Sequence, residues 1–149
     1  MKHIEPYHGA GIQLWTTRES LTSVLLVLRA IPPQKGSWSI PGGGWERRKD
    51  GFDTKGKPDY RATAIRECRE EIFFSIEDPQ KLTLLWQIHL PFFHYVVSTI
   101  HLPYEVSVSW DHENKEAAWF PIDHLPTPQA TFLGSEIAAL RHLAKHQKT

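Results

Sequence analysis

Three consecutive glycines, Gly42–Gly44, follow Pro41 and open the stretch PGGGWERRKDGFDTKGKPD. No regular element is expected there, because glycine brings no side chain to pack and loses the most backbone freedom on ordering. This punctuation divides the chain. Before it, GIQLWTT, SLTSVLLVLRA and WSI are rich in β-branched and aliphatic residues and read as strands, with IPPQKGS a loop. After it, Pro58–Phe74 reads as a helix opened by Pro58 and Asp59, with Ile65, Cys68 and Ile72 on one apolar face. LTLLWQIHLPF, HYVVSTIHL and YEVSVSW read as strands separated by Pro91 and Pro103. DHENKEAAWFPIDHLPTP reads as a loop with a short apolar insert. GSEIAALRHLAKHQKT reads as a second amphipathic helix, capped by Ser135 and striped by Ile137, Leu140 and Ala144. The order β-β-β-loop-α-β-β-β-α predicts an α+β fold, an α/β/α sandwich with helices covering a mixed sheet. One domain over residues 1–149 is expected from the length.

Composition narrows the function classes. Formal net charge is zero, so bulk electrostatics gives no reason to expect a nucleic acid or an anionic membrane as partner. Cys68 is the only cysteine, which excludes an intrachain disulfide and a cysteine-cluster zinc site. The N-terminal residues hold no apolar run suited to a signal peptide, and no stretch is long enough to span a bilayer. These observations predict a soluble, cytoplasmic protein.

The chemistry concentrates in RECREE, Arg66–Glu71. On a helix, Glu67, Glu70 and Glu71 fall at i, i+3 and i+4, where like charges repel by a few tenths of a kcal/mol per pair. Either this is a solvated helix face, or a cation offsets the repulsion. The glycine turn beside it favours the second reading. Mg²⁺ and Mn²⁺ take one or two carboxylates, water and substrate phosphates, and glycine lets backbone approach such a site closely.

These residues resemble the signature of the Nudix hydrolases, G-x5-E-x7-R-E-U-x-E-E-x-G-U, with U a bulky aliphatic residue. Arg66, Glu67, Cys68, Arg69, Glu70 and Glu71 match its R-E-U-x-E-E core, with cysteine at the aliphatic position. WSIPGGGWE is similar to the segment that opens the box, ENKEAAWFPIDHLP to a late segment, and SVLLVLR to an early strand; the likeness runs from about Gly11 to Pro126. Three departures stand out. Arg66 stands 23 positions after Gly43 where the signature gives 14. Pro58 occupies the place of the early glutamate, leaving Asp59 or Asp53 as substitutes. Phe73 replaces the late glycine.

The resemblance implies cleavage of a pyrophosphate bond in a nucleoside diphosphate linked to another group, by divalent-metal-assisted attack of water. It implies Mg²⁺ or Mn²⁺ held by Glu67, Glu70, Glu71 and the Gly43 carbonyl. Arg66 would pair with a box carboxylate, and Glu70 and Arg66 would belong to the catalytic group. Glu113 is the candidate general base, with Glu116 next. Trp38, Gly42, Gly44 and Arg47 are the expected substrate contacts. Trp45, Trp86, Phe92, Phe93 and Tyr95 are further aromatic faces on which a base could stack. The basic-leaning insert Arg47–Lys57 is expected to touch substrate phosphates, and His142 and His146, at i and i+4, are a weaker metal pair. The implied partner is a small-molecule nucleotide, and edge strands in this fold leave a homodimer open. The alternative is a Nudix-fold module that binds a nucleotide without useful turnover.

Overall fold

The computed structural model describes residues 5–146. The ends of the expected domain and of the last helix, residues 1–4 and 147–149, lie outside the described residues. Seven strands form one sheet: β1 (Tyr7–Arg18), β2 (Leu21–Arg29), β3 (Trp38–Ser39), β4 (Gly42–Gly44), β5 (Thr83–Leu90), β6 (Phe93–His101) and β7 (Asn114–Pro121). A short turn of helix, α1 (Arg47–Asp50), precedes the long helix α2 (Tyr60–Ile72), and α3 (Leu133–Lys145) closes the chain. The α+β sandwich expected from the element order is the observed architecture, with mixed pairing: β1 runs parallel to β6 and antiparallel to β2 and β4.

Two apolar layers hold it. From β1, Ala10, Ile12 and Leu14 face α2 with Leu25 and Val27 of β2, meeting Ala64, Cys68 and Ile72. From the opposite face, Trp15, Val24 and Leu26 pack with Leu133, Ile137 and Leu140 of α3. The side-chain period of two sends alternate residues to opposite faces. Both faces are covered, so these strands read as continuous apolar runs.

The site originates in a fork. β1 and β2 pair from Trp15–Val24 to Arg18–Leu21, at the end joined by the turn Glu19–Ser20, and then part. β4 takes the freed edge of β1 at Gly9–Gly11, and β3 takes β2 at Val27 and Leu28. β6 runs along the other edge of β1, and β7 along β2.

Four sequence expectations need correction. The stretch expected to hold no regular element carries β4 and α1. Residues 111–128, expected as a loop, contain β7, which occupies the edge of β2 from Ser23 to Arg29. YEVSVSW, expected as a strand, is irregular; with that edge taken, it is tied instead by Trp119 Nε1 donating to the Val106 carbonyl at 2.9 Å. Ser135 does not cap α3, whose N-cap is Phe132 without a side-chain bond. By contrast, Asp59 caps α2, accepting from the Ala62 N–H at 3.0 Å. None of the helices among the described residues is long and apolar enough to cross a membrane.

α2 ends on Phe73, at φ 55°, ψ 33°, with its N–H returned to the Arg69 carbonyl. A residue with a Cβ is strained in this left-handed cap, and the ring is 62% exposed, so it forfeits little packing. Phe73→Gly is expected to raise stability by about 0.5–1 kcal/mol, seen as a rise of about 2–4 °C in a calorimetric melt. A fall would mean that ring contacts outweigh the backbone strain.

Candidate active site

α2 presents its carboxylates to the glycine strand, and Arg66 organises them. Its guanidinium is buried (6% exposed) and grips Asp50 in a fork, Nε to Oδ1 at 2.7 Å and Nη2 to Oδ2 at 2.9 Å. Nη2 also donates to the Gly44 carbonyl at 2.8 Å. Nη1 reaches Glu67 Oε1 at 3.0 Å and Glu70 Oε2 at 3.1 Å, with Glu46 Oε2 at 3.2 Å. One cation therefore fastens the glycine strand, α1 and two box carboxylates. Its pKa is driven upward chiefly by the bond to Asp50.

Asp50 is the residue that sequence reasoning missed. It lies buried at the end of α1, and accepts from the Glu46 N–H and the Thr63 hydroxyl, each at 2.9 Å, besides Arg66. Burial raises its pKa, but these bonds outweigh that and hold it below the usual carboxylate range. Asp59 and Asp53, the expected substitutes, do other work: Asp59 caps α2, and Asp53 accepts from the Lys55 and Lys57 N–H groups within its own turn. The signal was present in the spacing. Gly44 and Asp50 stand in a G-x5-D relation, and the extra residues fall after Asp50 rather than before it.

The three glutamates are not equivalent. Glu70 is half exposed and bonds Arg66, with Lys49 Nζ at 3.9 Å. Glu67 is mostly buried, and burial raises its pKa against the pull of Arg66. Glu71 is 1% exposed; its Oε2 accepts from the Gly42 N–H at 2.6 Å and its Oε1 from Asn114 Nδ2 at 3.3 Å. Burial, then the nearby Glu67, pushes Glu71 up to about 8. Asn114 Oδ1 is buried without a partner. Among the described residues no three His, Cys, Asp or Glu side chains close around one point. The donors nevertheless fit a hard divalent cation. Such an ion takes one or two carboxylates plus carbonyls and water, and an adjacent positive charge would offset the cost of ionising Glu67 and Glu71 side by side. Cys68, at the box's aliphatic position, is fully buried, and burial pushes its thiol up to about 12, so it serves as a small apolar residue.

A cavity of about 540 Å³ opens beside Glu67. Gly42–Gly44, Glu67 and Glu113 line it together with Phe93, Tyr95 and Phe132, and Arg29, Ser39 and Glu136 complete much of its wall. The structure thus brings Glu67, Gly43 and Glu113 to one space. Trp38 lies in the α3-side core, edge-on to Phe120, and Arg47 stacks over Phe52 at 5.4 Å; neither lines the cavity. Trp45 packs against His8 and Phe52, and Phe92 is 61% exposed. His142 and His146 have ring centroids 4.5 Å apart at the end of α3 and do not line the cavity.

Two expected results follow from this geometry. A Cβ on Gly43 would stand 2.5 Å from Glu67 Oε1, the far end of a side chain, whereas one on Gly42 would meet the Ala10 carbonyl oxygen at 2.6 Å. Gly43→Ala should therefore fold with its melting temperature within about 2 °C of wild type, while moving the Glu67 carboxylate and lowering turnover at least tenfold. Wild-type turnover in that variant would show that the Glu67 position is uncritical.

The second result is a pH effect. Burial pushes Glu136 up to about 8 from an ordinary value of 4.5. Below the lower value it is protonated in both folded and unfolded chains, so its contribution to stability is fully present. As pH rises towards and through 8 the folded chain must ionise a buried acid, and that contribution is lost. In chelator, melting temperature should fall from about pH 5 to 8.5. Glu136→Gln should flatten the part due to Glu136 and leave that of Glu71. Superimposable curves would remove Glu136 as a cause.

The family model described as NUDIX domain matches residues 8–140. Among solved structures, a NUDIX hydrolase from Nitrosomonas europaea has TM-score 0.72 and 21% identity, covering 99% of this chain and 76% of its own. The NUDIX domain of Shewanella oneidensis NrtR, solved with ADP ribose, has TM-score 0.71 and 20% identity, with 97% and 90% covered. A MutT/nudix family protein from Enterococcus faecalis has TM-score 0.66 and 20% identity, with 81% of this chain covered; the chain spans 46% of that protein. No curated protein matches the chain.

Proposed function

Because this chain belongs to the Nudix family, we propose that it hydrolyses a pyrophosphate bond in a nucleoside diphosphate linked to another group, with Mg²⁺ or Mn²⁺ as cofactor. The observation that carries this reading is the Arg66 hub. It holds Glu67, Glu70 and the Gly44 carbonyl together, and of these Glu67 and Gly44 line a cavity of about 540 Å³. Glu67, Glu71 and the backbone at Gly43 would hold the cation, with Glu70 at its exposed side. When bound, the cation neutralises phosphate oxygens and acidifies the attacking water. Arg66 is a positioning residue: it fixes the rotamers of Glu67 and Glu70. Glu113, across the cavity, takes the proton as the water oxygen bonds to phosphorus and the anhydride bond breaks, the leaving phosphate keeping the electron pair. Phe93, Tyr95 and Phe132 give the nucleoside end of the substrate an apolar seat.

ADP-ribose heads the substrates to test, because the NUDIX domain of NrtR was solved with it. Product release should be followed for ADP-ribose, nucleotide sugars, dinucleoside polyphosphates and nucleoside triphosphates, each with Mg²⁺, Mn²⁺ or chelator. Cleavage of one class with metal, abolished by chelator, is expected. Calorimetric binding without any product would replace the hydrolase with a binding module.

A further inference from the structure

Three histidines stand side by side on three neighbouring strands and take no part in the hydrolysis just described. In the sheet register His8 of β1 lies opposite His94 of β6, and His94 opposite His89 of β5, the edge strand. Residues in register share a face of the sheet, and this row continues the face on which Ala10, Ile12 and Leu14 meet α2. None of the three lines the cavity. At the outer end of the row His89 Nδ1 stands 2.9 Å from His94 Nδ1, and His89 Nε2 stands 2.7 Å from Gln87 Oε1. An amide oxygen only accepts, so Nε2 of His89 carries the hydrogen and its Nδ1, in the neutral ring, presents a lone pair. His94 then supplies the hydrogen between the two rings. At the inner end His8 Nδ1 is bonded to the Tyr60 hydroxyl at 2.8 Å, so its free nitrogen is the other one.

The chemistry of the pair says what it can hold. Two imidazole nitrogens at hydrogen-bond distance are also at the spacing of two neighbouring ligands on one metal ion. With metal–nitrogen bonds of about 2.0–2.1 Å, ligands at a right angle stand about 2.9 Å apart. The ion would take the place of the shared hydrogen. His94 carries its proton on Nε2 instead, and both rings tilt until their Nδ1 lone pairs converge. His89 is exposed, so its ring is free to tilt and water completes the coordination. Gln87 supplies what a metal-binding histidine needs behind it, an acceptor that holds the opposite N–H and fixes the tautomer. Two imidazoles with water suit Cu²⁺ or Ni²⁺ in a tetragonal arrangement, and affinity among these ions peaks at copper. Mg²⁺ and Mn²⁺ prefer oxygen donors, so they would not compete for this pair.

We propose that His89 and His94 form a site for Cu²⁺ or Ni²⁺ at the edge of the sheet, with Gln87 orienting His89. The site is separate from the carboxylates of α2 and does not depend on the hydrolase reading. The experiment is calorimetric titration of the full chain with CuCl₂, and separately with NiCl₂, in a non-coordinating buffer with Mg²⁺ in excess. The chains compared are wild type, His89→Ala, His94→Ala, Gln87→Ala and, as a control on the helical pair, His142→Ala. Wild type should bind both ions, Cu²⁺ the more tightly. His89→Ala and His94→Ala should each weaken the tightest Cu²⁺ site at least tenfold, Gln87→Ala by roughly tenfold, and His142→Ala not at all. Paramagnetic resonance of the Cu²⁺ form should show two coupled imidazole nitrogens in wild type and one in either single-histidine variant. His89 is exposed, so His89→Ala should melt with wild type, which separates a lost ligand from a lost fold. Copper affinity unchanged in His89→Ala and His94→Ala, loss confined to His142→Ala, or no binding while Mg²⁺ is present would each overturn the proposal.

Discussion

Glu67→Gln and Glu71→Gln are each expected to reduce metal-dependent pyrophosphate cleavage by roughly 10²–10⁴-fold, the equivalent of about 3–5 kcal/mol of transition-state stabilisation. Both residues are buried or nearly so beside the glycine strand, where a hard cation gains most from a charged ligand and least from solvent. An amide keeps the shape and still accepts from the Gly42 N–H, so the fold should hold. Glu71→Gln even removes an acid that the folded chain ionises with difficulty. The expected signature is therefore lost turnover with an unchanged or higher melting temperature in chelator. Glu70→Gln should cost less, because Glu70 is half exposed and bonded to Arg66 and Lys49 rather than to the glycine strand. Equal loss in all three variants would put Glu70 beside the other two. Full activity in Glu67→Gln or Glu71→Gln would move the cation elsewhere.

Asp50→Ala is expected to destabilise the fold by about 3–5 kcal/mol, because it strands a buried guanidinium without its two-pronged partner. At about 2–4 °C per kcal/mol for a chain of this size, the melt should drop by roughly 10 °C. An exposed pair would contribute less than about 1 kcal/mol, so the magnitude itself tests whether the pair is buried. The control is Asp50→Ala with Arg66→Met. Removing both charges together should restore much of the stability, whereas activity should stay low because Glu67 and Glu70 have lost their anchor. A drop under 1 kcal/mol in the single variant would show that Glu67 and Glu70 satisfy Arg66 without Asp50.

Much of this was legible in the chain. The α2 apolar face and the Asp59 cap are local signals, set by spacing and backbone chemistry within a few residues. The strands β1 and β2 announce themselves because both faces are buried. What the sequence hid was pairing. YEVSVSW alternates well enough to be a strand and Asn114–Pro121 begins with three polar residues, yet the second holds the edge of β2. Local alternation describes a segment's fitness for a sheet; which segment joins depends on which edge the rest of the fold leaves open. Asp50 was hidden differently. Counting backward from Arg66 crosses the extra residues and lands on Pro58, while counting forward from Gly44 reaches Asp50 before they begin. Glu136 gave no signal, since a lone glutamate near the start of a helix is an ordinary sight until the packing around it is known.

The extra residues themselves form a closed appendix. The Asp59 N–H donates to the Gly51 carbonyl at 3.0 Å, Phe52 bridges Pro58, and Asp53 ties the tip by accepting from Lys55 and Lys57. Asp50 and Arg66 meet across the base of this hairpin whatever lies beyond it. Loop length therefore becomes a nearly neutral variable: a doubling costs only about 0.6 kcal/mol in closure entropy. For an engineer, the tip at Thr54–Gly56 is a graft point, able to carry a fluorophore tag, a recognition peptide or a whole inserted module while the machinery beneath keeps its shape.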